Sequence, residues 1–124
     1  MRAVTTTVAL VSLMLVAIGA GAAQPLSPLV ADWDQFFSVQ SQPTLRDGRS
    51  VGTIRNISGW GARRIQLLVE ALDGNGRTVD QRVVWLGSDL PAGAHAYFEA
   101  PMPASASYRV RVFAFNLEMN SGPR

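Results

Sequence analysis

The sequence of 124 residues contains no cysteine, no lysine and a single histidine, His95. Without cysteine the chain can form no disulfide and cannot carry a lipid on a cysteine, so a hydrophobic core has to supply its stability. A lone histidine with no acidic residues at a metal-ligand spacing is typical of an exposed strand residue, not of a metal site or a catalytic base. The composition therefore predicts no metal and no cofactor.

Catalytic residue types are present, but they do not form a recognisable set. None of the serines lies in a Gly-x-Ser-x-Gly turn of the kind that exposes a nucleophile. Ser88, Asp89 and His95 have the residue types of a catalytic triad, but they are too close in sequence to converge, because neighbouring strand residues alternate between faces. We predict that the chain is not an enzyme.

The segment 73–80, DGNGRTVD, is similar to the first half of a calcium-binding loop. The fifth position of such a loop needs an oxygen ligand and the twelfth needs a glutamate, but Arg77 and Val84 stand there. Glycine and asparagine tolerate the positive φ of tight turns, so a β-hairpin turn is the better interpretation.

All eleven basic residues are arginines, and the formal net charge is +2. We interpret the exclusive use of arginine as GC-rich codon usage, which fits a bacterial origin. Removal of Arg2 with the N-terminal segment would leave a charge of +1, so the pI of about 9.9 reflects the high pKa of arginine and not a basic surface. Nucleic acid is therefore not an expected partner.

Residues 1–23 differ in composition from the rest of the chain. Arg2 is the only charge, residues 8–18 are apolar except for one serine, and residues 19–23 are all small. This layout is typical of a secretory signal peptide, with cleavage after Ala23 or Ala22 and export to the periplasm or the cell exterior. The alternative is an uncleaved membrane anchor, but the apolar stretch is shorter than the roughly 20 residues of a spanning helix.

The rest of the chain divides into a leader at residues 24–34, which we expect to be mobile, one β domain at residues 35–117 and a C-terminal tail at residues 118–124. Alternation of apolar and polar residues is clearest at residues 62–72, where Glu70 takes a polar position. Turns are predicted at residues 46–49 and 73–76. The predicted strands are 35–42, 50–56, 62–72, 77–86, 95–99 and 107–117, with a short helical turn before the first.

Three details of these strands follow from residue type. Gly52 suggests a bulge in the second strand, and a change of phase near Phe113 suggests a bulge in the last. Pro101 is expected to end the fifth strand, and Phe98 to face the core. Six short strands separated by Gly, Pro and Asn turns predict a small antiparallel, immunoglobulin-like β-sandwich of about six to seven strands, preceded by the signal-peptide helix.

The run 69–73, Val-Glu-Ala-Leu-Asp, followed by the glycine turn, resembles the signature of the FxLYD domains. These are small immunoglobulin-like sandwiches of exported bacterial proteins. Residues 52–56, 90–98 and 108–110 are similar to further family segments in the same order. Val69, Ala71 and Leu72 stand where the family has Phe, Leu and Tyr, and Asp73 is retained. The family has no established catalytic residues, so the resemblance implies an exported β-sandwich without a site residue.

Aromatic residues are the candidates for binding. Trp60 lies between two glycines in the loop 56–62, where an exposed indole could contact a protein partner. The leading hypothesis is a protein–protein interaction or structural module acting through a strand edge or through Trp60. The alternative is a carbohydrate or small-ligand platform formed by Trp60, Trp33 and Tyr97. For Trp60 itself, the favoured interpretation is that it folds over the end of the domain as a plug, because a buried indole stabilises a small domain.

Two further motifs have competing interpretations. The arginine pairs at residues 63–64 and 109–111 could form a cationic stripe, but outward residues that discourage edge pairing are favoured. Asn56-Ile57-Ser58 matches a glycosylation sequon, but we expect Asn56 to cap the corner after the second strand.

Overall fold

The computed structural model describes residues 25–119. The predicted signal peptide at residues 1–23, its cleavage site after Ala23 and the end of the tail at residues 120–124 lie outside the described residues. In the described part of the chain, no helix is long and apolar enough to span a membrane. The elements are a 3₁₀ helix at Trp33–Gln35, then β1 Phe37–Ser41, β2 Arg49–Asn56, β3 Ala62–Leu72, β4 Thr78–Trp85, β5 His95–Pro101 and β6 Ser107–Leu117.

The six strands form two three-stranded antiparallel sheets. Sheet A has the order β1-β2-β5, and sheet B has the order β4-β3-β6. The prediction of an all-β chain with about six antiparallel strands is confirmed. β3 and β6 have the predicted bounds, and the predicted helical turn before β1 is the 3₁₀ helix.

β5 ends at Pro101, the residue predicted to end it, although the strand is two residues longer than the predicted 95–99. The backbone N–H of Asn56 donates to the carbonyl of Ala94. Hydrogen-bonded and non-hydrogen-bonded pairs alternate from there along the β2–β5 ladder, and the pair Arg49–Pro101 is a non-hydrogen-bonded one. In that alternation the nitrogen of Pro101 points away from β2. β5 is an edge strand, so the missing N–H removes no ladder hydrogen bond there.

The tight turn between the predicted first two strands forms as expected. Asp47 and Gly48 have φ values of 53° and 77°, and Arg46 and Arg49 pair across the turn. Positive φ at both central residues matches the right-handed twist of the flanking strands, which is why the pair Asp-Gly is found here.

One hydrophobic core lies between the two sheets, and both sheets contribute to it. Phe98 faces this core, as predicted, and Phe115 contacts Phe37 with ring centroids 4.8 Å apart. The buried core residues include Phe37, Ile54 and Phe98 from sheet A and Ile65, Leu67, Val69, Tyr108, Val110 and Val112 from sheet B.

Bulges occur in both sheet B edge strands. Ala114 and Val112 of β6 pair with Gln66 and Leu67, which are successive residues of β3. Phe113 is therefore an extra residue without a β3 partner, and the predicted bulge is confirmed. In β4, Thr78 and Asp80 pair with successive β3 residues, so Val79 is also extra. A bulge bends its strand and leaves the extra residue unpaired.

Gly52, in contrast, lies in regular register with both β1 and β5, so the bulge predicted there was wrong. The glycine is needed for space. A Cβ at this position would lie 2.3 Å from the carbonyl oxygen of Gln40, 2.7 Å from Cζ of Phe98 and 2.8 Å from Cα of Ser41. Two of these contacts are backbone atoms, which cannot move without distorting the strand pair.

We expect Gly52→Ala to lower the free energy of unfolding by about 2 kcal/mol, because the added methyl overpacks the core. Urea unfolding followed by tryptophan fluorescence measures this change. Gly59→Ala is the matched control, since a Cβ at Gly59 would meet no atom within 4 Å. Equal stability of the two variants would contradict the steric explanation.

Residues 25–30 of the leader bind to both edge strands of sheet B. The side-chain amide of Gln81 on β4 accepts a hydrogen bond from the N–H of Leu26 (2.8 Å) and donates one to its carbonyl (2.9 Å). The N–H of Leu29 donates to the carbonyl of Phe113 on β6 (2.8 Å). The leader therefore crosses β3 on the outer face of the sheet. Leu68 alternates with core residues toward that face and is nevertheless fully buried.

Candidate interaction surface

The loop at residues 57–61 connects the two sheets and is organised by Asn56. This asparagine is fully buried, and its Nδ2 donates to the carbonyls of Trp60 (2.7 Å) and Leu90 (2.9 Å). Its Oδ1 accepts from the N–H (2.9 Å) and the hydroxyl (2.7 Å) of Ser58. Asn56 therefore caps the corner, and its amide nitrogen is not accessible to a glycan.

Three exposed apolar residues lie at this end of the molecule, and we call Ile57, Trp60 and Met119 the Trp60 end. The Trp60 residue is 40% exposed, and Ile57 and Met119 are more exposed still. The N–H of Glu118 donates to the carbonyl of Gly61 (2.8 Å), which holds the start of the C-terminal tail against the loop. Local sequence could not show that Met119 joins Trp60, because the two are brought together by the β3–β6 pairing.

Charged residues border the Trp60 end. Arg63 lies 3.8 Å from Asp89 and 3.4 Å from Glu118, measured between guanidinium nitrogen and carboxylate oxygen. All three side chains are exposed, so these pairs contribute little to stability. They put charged side chains at the same end of the molecule as the exposed apolar residues, and protein-contact surfaces usually combine the two.

The other two predicted aromatics lie elsewhere. Trp33 is half-buried in the 3₁₀ helix and packs against the core. Tyr97 is exposed on the outer face of sheet A, opposite Thr53, beside a shallow polar pocket of about 320 Å³. Ring contacts among residues 25–119 involve neither of them nor Trp60. The structure therefore does not assemble these three rings into one platform.

Sheet B has a buried carboxylate that the alternation pattern did not reveal. Glu70 was expected at a polar strand position, yet it is only 1% exposed. Its Oε1 lies 2.9 Å from Nε of both Arg109 and Arg111. Its Oε2 accepts from Nε2 of Gln81 (2.8 Å). The two arginines of β6 therefore bind Glu70 and form neither a cationic stripe nor a simple outward-facing pair.

The ionisation of Glu70 follows from these contacts. Burial by itself would raise the pKa of its carboxyl, but the hydrogen bonds from Arg109, Arg111 and Gln81 outweigh burial and hold the pKa below the usual 4.5. We call Glu70, Gln81, Arg109 and Arg111 the Glu70 cluster. Because Gln81 also binds Leu26, this cluster links the leader to all three strands of sheet B.

Asp73 acts as a turn residue. Its Oδ1 accepts from the N–H groups of Arg77 (3.0 Å) and Asn75 (2.9 Å), and these bonds lower the pKa of its carboxyl. Among residues 25–119 there is no group of three or more His, Cys, Asp or Glu side chains that could hold a metal ion. His95 is exposed at the start of β5.

The chain matches no family model, no curated protein and no solved structure. The Trp60 end and the Glu70 cluster are therefore the two features from which function can be inferred.

Proposed function

We propose that this chain is an exported, non-enzymatic, immunoglobulin-like β-sandwich module of the bacterial envelope that binds a protein partner through the Trp60 end. The observation that supports this proposal most directly is an exposed tryptophan in a loop that makes three hydrogen bonds to one buried asparagine, which is itself bonded to Leu90. The signal-like composition of residues 1–23 supports export. The FxLYD-like order of sequence segments, together with two three-stranded sheets, supports the immunoglobulin-like assignment.

The energetics of binding favour such a loop. Ordering a flexible loop at an interface costs free energy, so a loop that is already fixed gives tighter binding for the same contacts. Tryptophan is enriched among the few interface residues that dominate affinity, especially where near-neutral contacts exclude water around it. Ile57 and Met119 add further exposed apolar surface at the same end of the molecule.

A sugar-binding function has less support. Carbohydrate platforms use aromatic rings on one face with polar groups between them, whereas Trp33 packs against the core and Tyr97 lies on a different surface from Trp60. A protein partner is therefore the function that the geometry favours.

We expect chemical crosslinking in the native host to capture one dominant protein with the tagged full-length chain, identified by mass spectrometry. Trp60→Ala should reduce that capture about tenfold or more, the loss typical of a central interface tryptophan. Tyr97→Ala is the matched control, because it removes an aromatic that is at least as exposed from another surface. The same sample reports the N-terminal residue of the mature chain.

Three outcomes would contradict the proposal. Capture that survives Trp60→Ala but is lost with Tyr97→Ala would move the contact to sheet A. Absence of any specific protein would lead to screening against a glycan panel. A chain that still begins at Met1 would contradict export with cleavage.

A further inference from the structure

Strand β4 is an edge strand, and the backbone groups on its outer side face no other strand. One of them, the N–H of Gln81, is bonded to Oδ1 of Asp80 (2.8 Å), a bond that a pairing strand has to replace. The N–H of Leu86 donates to the carbonyl of Ile65. Together with the register, this bond shows which residues of β4 turn their backbone groups toward β3. In an antiparallel ladder, every second residue turns both backbone groups toward its neighbour. The residues that turn them away from β3 are Gln81, Val83 and Trp85.

The other three edges offer less to a new strand. β1 has only five residues, and β5 ends in a proline. The carbonyl of Phe113 in β6 is already bonded to Leu29. β4 has eight residues without proline, so among the described strands it is the edge best able to pair.

The charges of β4 are complementary to themselves. Asp80 and Arg82 flank Gln81 on the core-facing side of the strand, where they form an ion pair with each other (3.7 Å) and remain 38% and 47% exposed. Arg82 also donates to the carbonyl of Pro101 (3.0 Å). Two copies could pair antiparallel in several registers. If Asp80 of one copy lay opposite Asp80 of the other, two negative charges would face each other, and a register with Arg82 opposite Arg82 would bring two positive charges together. With Gln81 opposite itself, Asp80 of each copy opposes Arg82 of the other. Opposite charges directly across a strand pair are stabilising and like charges are destabilising, so one register is selected.

We propose that β4 is a homodimerisation edge: two copies of this chain pair antiparallel through β4, with Gln81 opposite Gln81 across a two-fold axis. The two B sheets then form one six-stranded sheet. Inward-pointing charges ordinarily protect an edge from pairing with other chains. Here they repel foreign strands but match a second copy, which makes the edge selective.

Apolar contacts reinforce this register. Val79, which is 59% exposed, lies opposite Val83 of the second copy. Leu26, bound to Gln81, lies beside the seam on the outer face. The bulge at Val79 limits the regular pairing to the residues around Gln81, so the interface is small and the dimer depends on protein concentration.

Charge exchange tests the pairing in protein purified from cells that express the full-length sequence. Sedimentation equilibrium should show a reversible dimer of the native chain. Asp80→Arg and Arg82→Asp should each raise the dissociation constant about tenfold, since two attractive pairs become repulsive. An equimolar mixture of the two variants should dimerise again, because each copy then opposes the other with opposite charges. The mixture restores no contact within one chain, so recovery cannot come from repaired folding.

Cysteine substitution tests the register, because the native chain has no cysteine. Residues opposite each other in a hydrogen-bonded pair have Cα atoms about 5.5 Å apart, within the range of a disulfide. Gln81→Cys should therefore give a disulfide-linked dimer under mild oxidation. Val83→Cys should not, because Val83 faces Val79 in this register.

A native chain that stays monomeric up to about 1 mM would overturn the proposal. A dimer unaffected by either charge variant, or a mixture that stays monomeric, would also overturn it. Trp60→Ala should leave dimerisation unchanged, because the Trp60 end is a separate surface. Failure of the dimer and failure of the proposed partner binding are therefore distinguishable.

Discussion

Replacing both Arg109 and Arg111 with methionine should lower the free energy of unfolding by about 3 kcal/mol at neutral pH. The change leaves the Glu70 carboxylate, 1% exposed, without the two guanidinium groups that lie 2.9 Å from it. Removing the partners of a buried charge costs about 3–5 kcal/mol, and the lower end applies here because the Arg109 side chain is 47% exposed and water screens its interaction.

The pH dependence of this loss has a defined sign. In the native chain the pKa of Glu70 is lowered, so its stabilising contribution is fully present above the unfolded value near 4.5 and is lost as the pH falls through the lowered pKa. In the double variant, burial dominates and raises the pKa of Glu70. Protonation then favours the folded state, so the stability gap between the variant and the native chain should narrow from pH 7 to about pH 4.

Urea unfolding at the two pH values measures the gap. Adding Glu70→Gln to the double variant is the control, since an uncharged amide removes the stranded charge and should recover part of the stability. The idea would be contradicted if the free energies of unfolding of the native chain and the double variant differed by less than about 1 kcal/mol at pH 7, or if their difference did not change with pH. Either result would show that the Glu70 cluster is solvated and contributes little to stability.

Asn56→Asp should also destabilise the chain by about 3 kcal/mol at neutral pH, although the two side chains have nearly the same shape. The amide nitrogen donates to the carbonyls of Trp60 and Leu90 from a fully buried position. One carboxylate oxygen would then face two carbonyl oxygens, and the buried charge would keep only the two Ser58 donors of the other oxygen.

Asn56→Ala is the informative comparison. It also loses the hydrogen bonds, but it buries no charge, so its expected cost is smaller, about 2 kcal/mol. Urea unfolding measures both variants, and the aspartate variant should recover stability as the pH falls and the carboxyl becomes protonated. Greater stability of Asn56→Asp than of Asn56→Ala at pH 7 would contradict the donor role of the amide. Because Asn56 holds the loop, partner capture should fall in both variants.

The strands were largely predictable, and the exceptions have local physical reasons. Alternation identified β3 and β6 with their bounds, and Asp47-Gly48 identified the first turn, because both signals act between near neighbours in sequence. The predicted bound of β5 was two residues short, because Pro101 can be the last strand residue when its nitrogen faces no other strand. Gly52 was misjudged because its reason is the close approach of Phe98 and the β1 backbone.

The candidate site was predicted only in part. Trp60 could be selected from the sequence, since an indole between two glycines in a loop has no strand partner to bury it. Ile57 and Met119 were not associated with it, because that proximity requires the β3–β6 register and the Glu118–Gly61 hydrogen bond.

The sequence by itself determined the all-β class, the strand positions and the turns, because alternation and turn chemistry are local. It also assigned each strand residue to one of two faces. Only the tertiary structure decided what covers each face. Glu70 occupies a polar position of β3, yet it is buried because arginines 39 and 41 residues away bind it and the leader is anchored beside it. Such burial depends on contacts between distant segments, which the period of a single strand does not encode.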